Sequence, residues 1–324
     1  MRNDITDIEG LAVGQAEDAG AKTGVTVVLC DAPAIAAVDV RGGGPGTRET
    51  EVLNPAGLVK SVDAVVLSGG SVYGLGAGDA VCAALGAQGR GYALMERPGV
   101  PASPIVPAAI LYDLANGGDK DWGGAPPYPA LGRAALEDAA RGAPVRLGRA
   151  GAGFGAMAGT QAGGTGSASM TRHDGITVAA LACVNSFGSV LMPGTECYWA
   201  WPFERDGEFG GARPPSGWTT PGESWGAAKL DPAPRENTTL AVVATDAALT
   251  PEEARRVAVM AQDGMARAIR PVHTPFDGDV VFALSTARRE LPEPRALNMA
   301  RIGAMAADML AIAIARGAFQ SRGR

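Results

Sequence analysis

The chain has 324 residues, 46% hydrophobic and 19% charged, with 46 glycines and a net charge of −6. A chain of that length buries a core without disulfide staples, and an acidic balance with no basic stripe excludes nucleic acid as the natural partner. No apolar leader follows Met1, and the longest apolar stretch, 305–315, is broken by Asp308 and too short to span a bilayer; a cytoplasmic protein with no membrane partner is expected.

Apolar β-rich runs alternate with alanine-rich runs. Residues 23–30 (TGVTVVLC) and 35–40 (IAAVDV) read as two strands, the second leading into the turn Gly42-Gly43-Gly44-Pro45-Gly46. Residues 64–67 are a short buried strand ending at Ser68-Gly69-Gly70-Ser71, and 72–85 read as a helix packed through small residues. A helix follows over 130–141 and a fully apolar strand over 176–184. Residues 198–236 break the pattern: Trp199, Trp201, Trp218 and Trp225 lie among prolines and glycines with no period, which predicts a long loop or lid. A strand then starts abruptly at Thr238 and runs to 245. Thr250-Pro251-Glu252-Glu253 combines a capping box with proline at the first helical position, opening a helix to about 269. A strand over 280–285 and a largely buried helix over 297–316 close the chain. The order fits one layered α/β domain, with two sheets sandwiched between helix layers.

The composition restricts the chemistry. Cys30, Cys82, Cys183 and Cys197 form no CxxC pair and read as buried free thiols. With only His173 and His273, a histidine-rich metal site is excluded, and no G-x-S-x-G elbow offers a serine triad. Neither a metal nor a cofactor is expected, so a hydrolytic base must come from elsewhere.

Thr238 can bring its own. If the bond after Asn237 broke, Thr238 would carry a free α-amine of ordinary pKa about 7.7–8.0 next to its hydroxyl, and threonine with its terminal amine is a known nucleophile–base pairing. Read blandly, Asn237-Thr238-Thr239 is a loop end followed by strand starters. The segment from His273 to Asp279 adds two carboxylates, Asp277 and Asp279, which share a side if extended and can orient an ammonium group or hold a hydroxyl. It equally reads as a turn or a weak cation site. Asn185, at the end of a strand, can donate to an oxyanion or simply turn the chain. Tyr112 can present its phenol or fill the core. Ser68-Gly69-Gly70-Ser71 offers anion binding at a helix start, a turn, or a wall of the site; it matches no nucleotide-binding loop.

Taken together and in order, Thr6-Asp7-Ile8-Glu9-Gly10, Asp39-Val40-Arg41-Gly42-Gly43, Gly46-Thr47-Arg48-Glu49-Thr50, Leu67 to Ser71, Asn237-Thr238-Thr239 and His273 to Asp279 resemble the L-aminopeptidase/D-esterase family of autoprocessing hydrolases. The likeness spans about residues 4–316 and is strongest to the nylon-oligomer (6-aminohexanoate-oligomer) endo-hydrolase branch. It implies a four-layer α-β-β-α sandwich similar to the N-terminal-nucleophile hydrolases but with distinct connectivity. It implies self-cleavage into 1–237 and 238–324, a homotetramer of cleaved units, and a small amide or peptide substrate. By the same resemblance Thr238 is the nucleophile, Asp277 and Asp279 are the paired acids, and Asn185 and Tyr112 complete the catalytic set. One departure stands out. That branch carries a lysine just beyond the segment corresponding to 148–153, where this chain has Thr160, a neutral hydroxyl that cannot replace an ammonium; either another cation serves or rate and substrate differ. An aminopeptidase or D-amino-acid amidase-esterase of the same family, an acyltransferase on the related fold and a non-catalytic binding protein are the alternatives.

Overall fold

A computed structural model describes residues 1–95, 97–220, 222, 225–229 and 237–322. Its elements in chain order are β1 (Leu11–Asp18), β2 (Thr23–Val40), β3 (Thr47–Arg48), β4 (Ser61–Ser68), α1 (Gly76–Ala87), β5 (Ala108–Ile110), α2 (Tyr128–Ala139), β6 (Met157–Ala158), β7 (Gln161–Ala162), β8 (Gly164–Thr171), β9 (Thr177–Asn185), β10 (Thr238–Ala247), α3 (Pro251–Ala268), β11 (Val280–Arg289) and α4 (Arg295–Gln320).

β2 organises the rest. It joins the two strands expected at 23–30 and 35–40 into one of 18 residues, with the register slipping between Leu29 and Ala34. Pro33 lies in that slip, where a missing amide donor costs no ladder bond. β4 pairs along both halves of one edge of β2, while β1 takes the first half of the other edge and β11 the second. From β11 the sheet continues through β10 and β9 to β8, and from β4 through β5 to β3. Among the described residues these nine strands form one continuous sheet that doubles back on itself at β2.

Side-chain alternation shows the layers. Val25 and Val27 face α1 and α2, packing with Ala77, Val81, Leu85, Ala135 and Leu136. Val28 and Cys30 point the other way and meet Leu181, Leu240, Val242 and Phe282 from the opposite half of the sheet. The outer side of that half (Ala180, Ala241, Val243, Val281) packs on α3 and α4 through Ala261, Met265, Leu310 and Ile314. The result is the expected four-layer α-β-β-α sandwich.

Several details differ from expectation. β1 and β8 were not anticipated. β8 reads GTGSASMT, with no apolar period, because α4 lies directly on it: a Cβ at Gly166 would come 1.9 Å from the Ala313 carbonyl oxygen. The expected helix at 72–85 opens with a 3-10 turn, Ser71–Leu75, before α1 begins. α4 is 26 residues long and, by length and composition, long and apolar enough to cross a membrane, unlike the shorter stretch expected; most of it is buried against β8, β9 and α3. The Thr250 capping box is present. All four cysteines are free, three of them buried and Cys82 half-buried. Burial pushes the Cys30 thiol up to about 12 and Cys183 up to about 11, so neither is a thiolate nucleophile. Part of the tryptophan-bearing segment, residues 221, 223, 224 and 230–236, lies outside the described residues. In the remainder, Trp199 packs edge-on against Trp218 and under Arg270, and Arg213 lies over Trp201.

Candidate active site

Thr238 is the first residue of β10, a strand between β9 and β11 near the middle of the sheet. Its register partner on β9 is Asn185. The bond before it is continuous in this structure, and both flanking residues are buried. The Thr238 hydroxyl donates to the Asn237 carbonyl oxygen at 2.5 Å, and the Gly278 amide donates to the same oxygen at 2.8 Å. A hydroxyl and a main-chain donor thus converge on the carbonyl of the candidate scissile bond.

The two aspartates flank this point. Residues Thr274 to Asp277 form a turn, with the Asp277 amide donating to the Thr274 carbonyl at 3.1 Å. The turn reading of this segment therefore holds together with the clustering of its acids. Asp277 accepts from the Phe187 amide (3.0 Å), the Thr274 amide (3.0 Å) and the Thr274 hydroxyl (2.6 Å). Asp279 accepts from the Thr239 amide at 2.7 Å, one residue beyond the nitrogen that cleavage would free. Its other oxygen takes the His273 amide and sits 2.8 Å from His273 Nδ1. One of the chain's two histidines therefore stands behind an acid of the site. Burial, and next the charge of Asp279, push the Asp277 carboxyl up to about 6.

The glycine turn explains its own composition. Gly44 N–H bonds the Asp277 carbonyl at 2.7 Å and Gly43 N–H the Thr274 carbonyl at 3.2 Å. A Cβ at Gly42 would lie 2.3 Å from the Asp279 amide nitrogen. Only a bare backbone approaches the acid-bearing loop this closely.

Asn185 Nδ2 donates to the Tyr112 carbonyl at 2.8 Å, and its Oδ1 accepts from the Met157 amide at 2.9 Å. Tyr112, Asp113, Asn116, Met157, Asn185 and Lys229 line a cavity of about 130 Å³. The loop at Ser68 to Ser71 serves this cavity from behind. Gly70, at φ +82°, gives its amide to Asp113 at 2.7 Å, and the Thr23 hydroxyl adds a second bond at 2.6 Å. The acid held there is the chain's own Asp113. Burial raises the Asp113 carboxyl above its ordinary range despite these two donors.

Thr160, where the resemblance would place a lysine, does not face this cavity; its amide and hydroxyl both bond the Ala227 carbonyl. Lys229 does, with Nζ 2.5 Å from Asn237 Oδ1. None of these four tryptophans of the segment lines the cavity; Trp225 packs edge-on against Phe187. Sequence reading missed Lys229 and the Gly278 amide. A loop lysine has no periodicity to mark it, and a main-chain donor leaves no mark in residue type. Among the described residues no group of three or more His, Cys, Asp or Glu is placed to hold a metal.

The profile of peptidase family S58 matches residues 3–323, nearly the whole chain. The chain belongs to peptidase family S58. An uncharacterized aminopeptidase of Mycobacterium bovis is 42% identical over 343 aligned positions, covering 99% of this chain and 94% of its own. A 6-aminohexanoate-oligomer endohydrolase of Kocuria sp. is 32% identical, covering 95% and 81%. Among solved structures, a β-aminopeptidase of Burkholderia sp. superposes with a TM-score of 0.69 at 24% identity, covering 98% of this chain and 86% of that one. An L-aminopeptidase/D-Ala-esterase/amidase of Ochrobactrum anthropi, described as a variant of the Ntn hydrolase fold, gives 0.66 at 22%, covering 98% and 85%. At those identities the structures establish the fold. Membership of the family places the chain among hydrolases of peptide or amide bonds.

Proposed function

We propose that the chain cuts its own bond between Asn237 and Thr238 and then hydrolyses linear amides with Thr238 as an N-terminal nucleophile. The observation that carries this is the buried convergence of the Thr238 hydroxyl and the Gly278 amide on the Asn237 carbonyl oxygen. In the self-cleavage, Thr238 Oγ adds to the Asn237 carbonyl carbon while the Gly278 amide stabilises the developing oxyanion. The carbon–nitrogen bond breaks, the proton of the hydroxyl passes to the Thr238 nitrogen, and water hydrolyses the resulting ester.

In the processed enzyme the free amine of Thr238 takes the proton from its own hydroxyl as that oxygen attacks a substrate carbonyl, and returns it to the leaving amine. Water then releases the acyl group. Asp279 holds the strand start through Thr239, Asp277 and Asp279 together favour an ammonium beside them, and Asn185 sets the Tyr112 side of the cavity. The substrate is a small peptide or an ω-amino-acid oligomer, the classes to which the names of the aminopeptidase and endohydrolase relatives point. The resemblance extends this reading to a cytoplasmic assembly of four cleaved units, which sedimentation of the processed protein checks.

Thr238→Ala is the direct test. Intact mass spectrometry of the wild type should give two species, 1–237 and 238–324. The variant should give one uncut chain without amidase activity on a panel of α-peptides, β-peptides, D-amino-acid amides and ω-amino-acid oligomers. A wild type that is active as one unbroken chain would overturn the proposal.

A further inference from the structure

Residues 225–229 are docked against the site at several points. Lys229 N–H bonds the Phe187 carbonyl at 3.0 Å, Ala228 is buried, and the Ala227 carbonyl accepts from the Thr160 amide at 2.7 Å. Trp225 lies edge-on to Phe187 with ring centroids 5.8 Å apart, and Phe187 packs in turn on Phe276 at 5.7 Å. Phe187 also gives its own amide to Asp277. The segment carrying Lys229 and the acid beside Thr238 are therefore tied to one residue.

From this mount Lys229 reaches the carboxamide of Asn237, with Nζ 2.5 Å from Oδ1. Asn237 is wholly buried, and its Nδ2 finds no acceptor among the described residues. The ammonium contact is then what orients this side chain. A charge-assisted hydrogen bond is roughly twice as strong as a neutral one, and in a buried site it is screened little. Holding the side chain of Asn237 also limits rotation of its carbonyl, the group on which the Thr238 hydroxyl and the Gly278 amide converge.

We infer that Lys229 is a positioning residue for the self-cleavage, its ammonium clamping the Asn237 side chain so that the carbonyl carbon stays in reach of Thr238 Oγ. The inference rests on the self-cleavage reading above. It also supplies a cation to the cavity from a different part of the chain than Thr160. The reaction needs no added reactant beyond water: the Thr238 Oγ to Asn237 carbon bond forms, the Asn237 carbon to Thr238 nitrogen bond breaks, and the hydroxyl proton ends on that nitrogen. Lys229 takes no part in the proton transfer.

The test follows fragment appearance by gel after pulse-labelled cell-free synthesis of the full chain. Lys229→Met keeps the apolar stem and removes the charge; Lys229→Arg keeps the charge; Asn237→Ala removes the group it holds. Lys229→Met should slow cleavage at least tenfold, Lys229→Arg should recover most of the rate, and Lys229→Met combined with Asn237→Ala should be no slower than the worse single variant. A residue that merely supports the fold would show neither the recovery nor the non-additivity. Urea midpoints of Lys229→Met in a Thr238→Ala background, unchanged from Thr238→Ala alone, exclude misfolding as the cause. Cleavage of Lys229→Met at the wild-type rate, or fully multiplicative effects of the two substitutions, would overturn the inference and leave self-cleavage standing. A wild type that never cleaves would instead overturn the reading beneath it.

Discussion

Gly278 gives the most direct probe of where the Thr238 hydroxyl must sit. It lies outside the left-handed region, so alanine can take its backbone conformation. The added Cβ, however, would stand 2.6 Å from Thr238 Oγ1, 2.8 Å from the Gly44 carbonyl oxygen and 3.2 Å from Pro45 Cα. Two of these neighbours are main chain, so the lighter adjustment is to displace the hydroxyl. Overpacking of this kind costs about 1–3 kcal/mol, partly offset by the ~0.4–1 kcal/mol gained from a less flexible unfolded chain. Gly278→Ala should therefore fold, with a net loss of roughly 1–2 kcal/mol. A reacting group misplaced by about 1 Å loses on the order of 100-fold in rate, and the Gly278 amide that faces the Asn237 carbonyl shifts with it. The assay pairs a time course of the 1–237 and 238–324 fragments with urea unfolding of the Thr238→Val form of the same variant, which cannot cleave but keeps an atom where Oγ1 stands. Cleavage of Gly278→Ala at the wild-type rate, with the fold intact, would refute the argument that this hydroxyl attacks from this position.

Two further predictions concern stability. Asp277 titrates near 6 in the folded chain and near ~3.9 when unfolded, so folding takes up a proton between those values and stability should fall as pH rises through that window. It should appear as a difference in urea stability between the chain with Asp277 and Asp277→Asn, both in a Thr238→Ala background, that changes between about pH 4 and 6.5; a pH-independent difference would count against it. Phe282, fully buried between the two halves of the sheet, should cost about 3–5 kcal/mol on truncation to alanine, measured by the same unfolding curves.

Much of the layered fold is legible because its strands are buried on both faces and its helices carry clear signals. β10 and β11 show themselves as unbroken β-branched and apolar runs, and α3 through its Thr250 cap. β8 was hidden because closeness to α4 demands glycine, serine and alanine, which no hydrophobic pattern marks. The continuity of β2 was hidden too, since Asp31, Ala32 and Pro33 look like a loop yet pass through as an exposed irregularity in one strand. At the site, residue type made Thr238, Asp277, Asp279, Asn185 and Tyr112 candidates and the resemblance joined them into one set; the fold brings them near one another. What type and order do not encode is the facing of one segment by another. The approach of Lys229 to Asn237 depends on Trp225 and Phe187, and that of Gly278 depends on a glycine turn more than two hundred residues away in the chain.

The position of Thr238 in the sheet also bears on what a cut there would leave. The piece beginning at 238 would own two adjacent inner strands, β10 and β11, and the entire helical layer of α3 and α4. Its partner would own the strands on either side, β9 and β2. No ladder would lose a rung. The two polypeptides would be interleaved through the middle of one sheet, and pulling them apart would expose the apolar interior on both sides of it. Such fragments should separate only under conditions that denature the whole, so the severed molecule would behave in solution as a single particle.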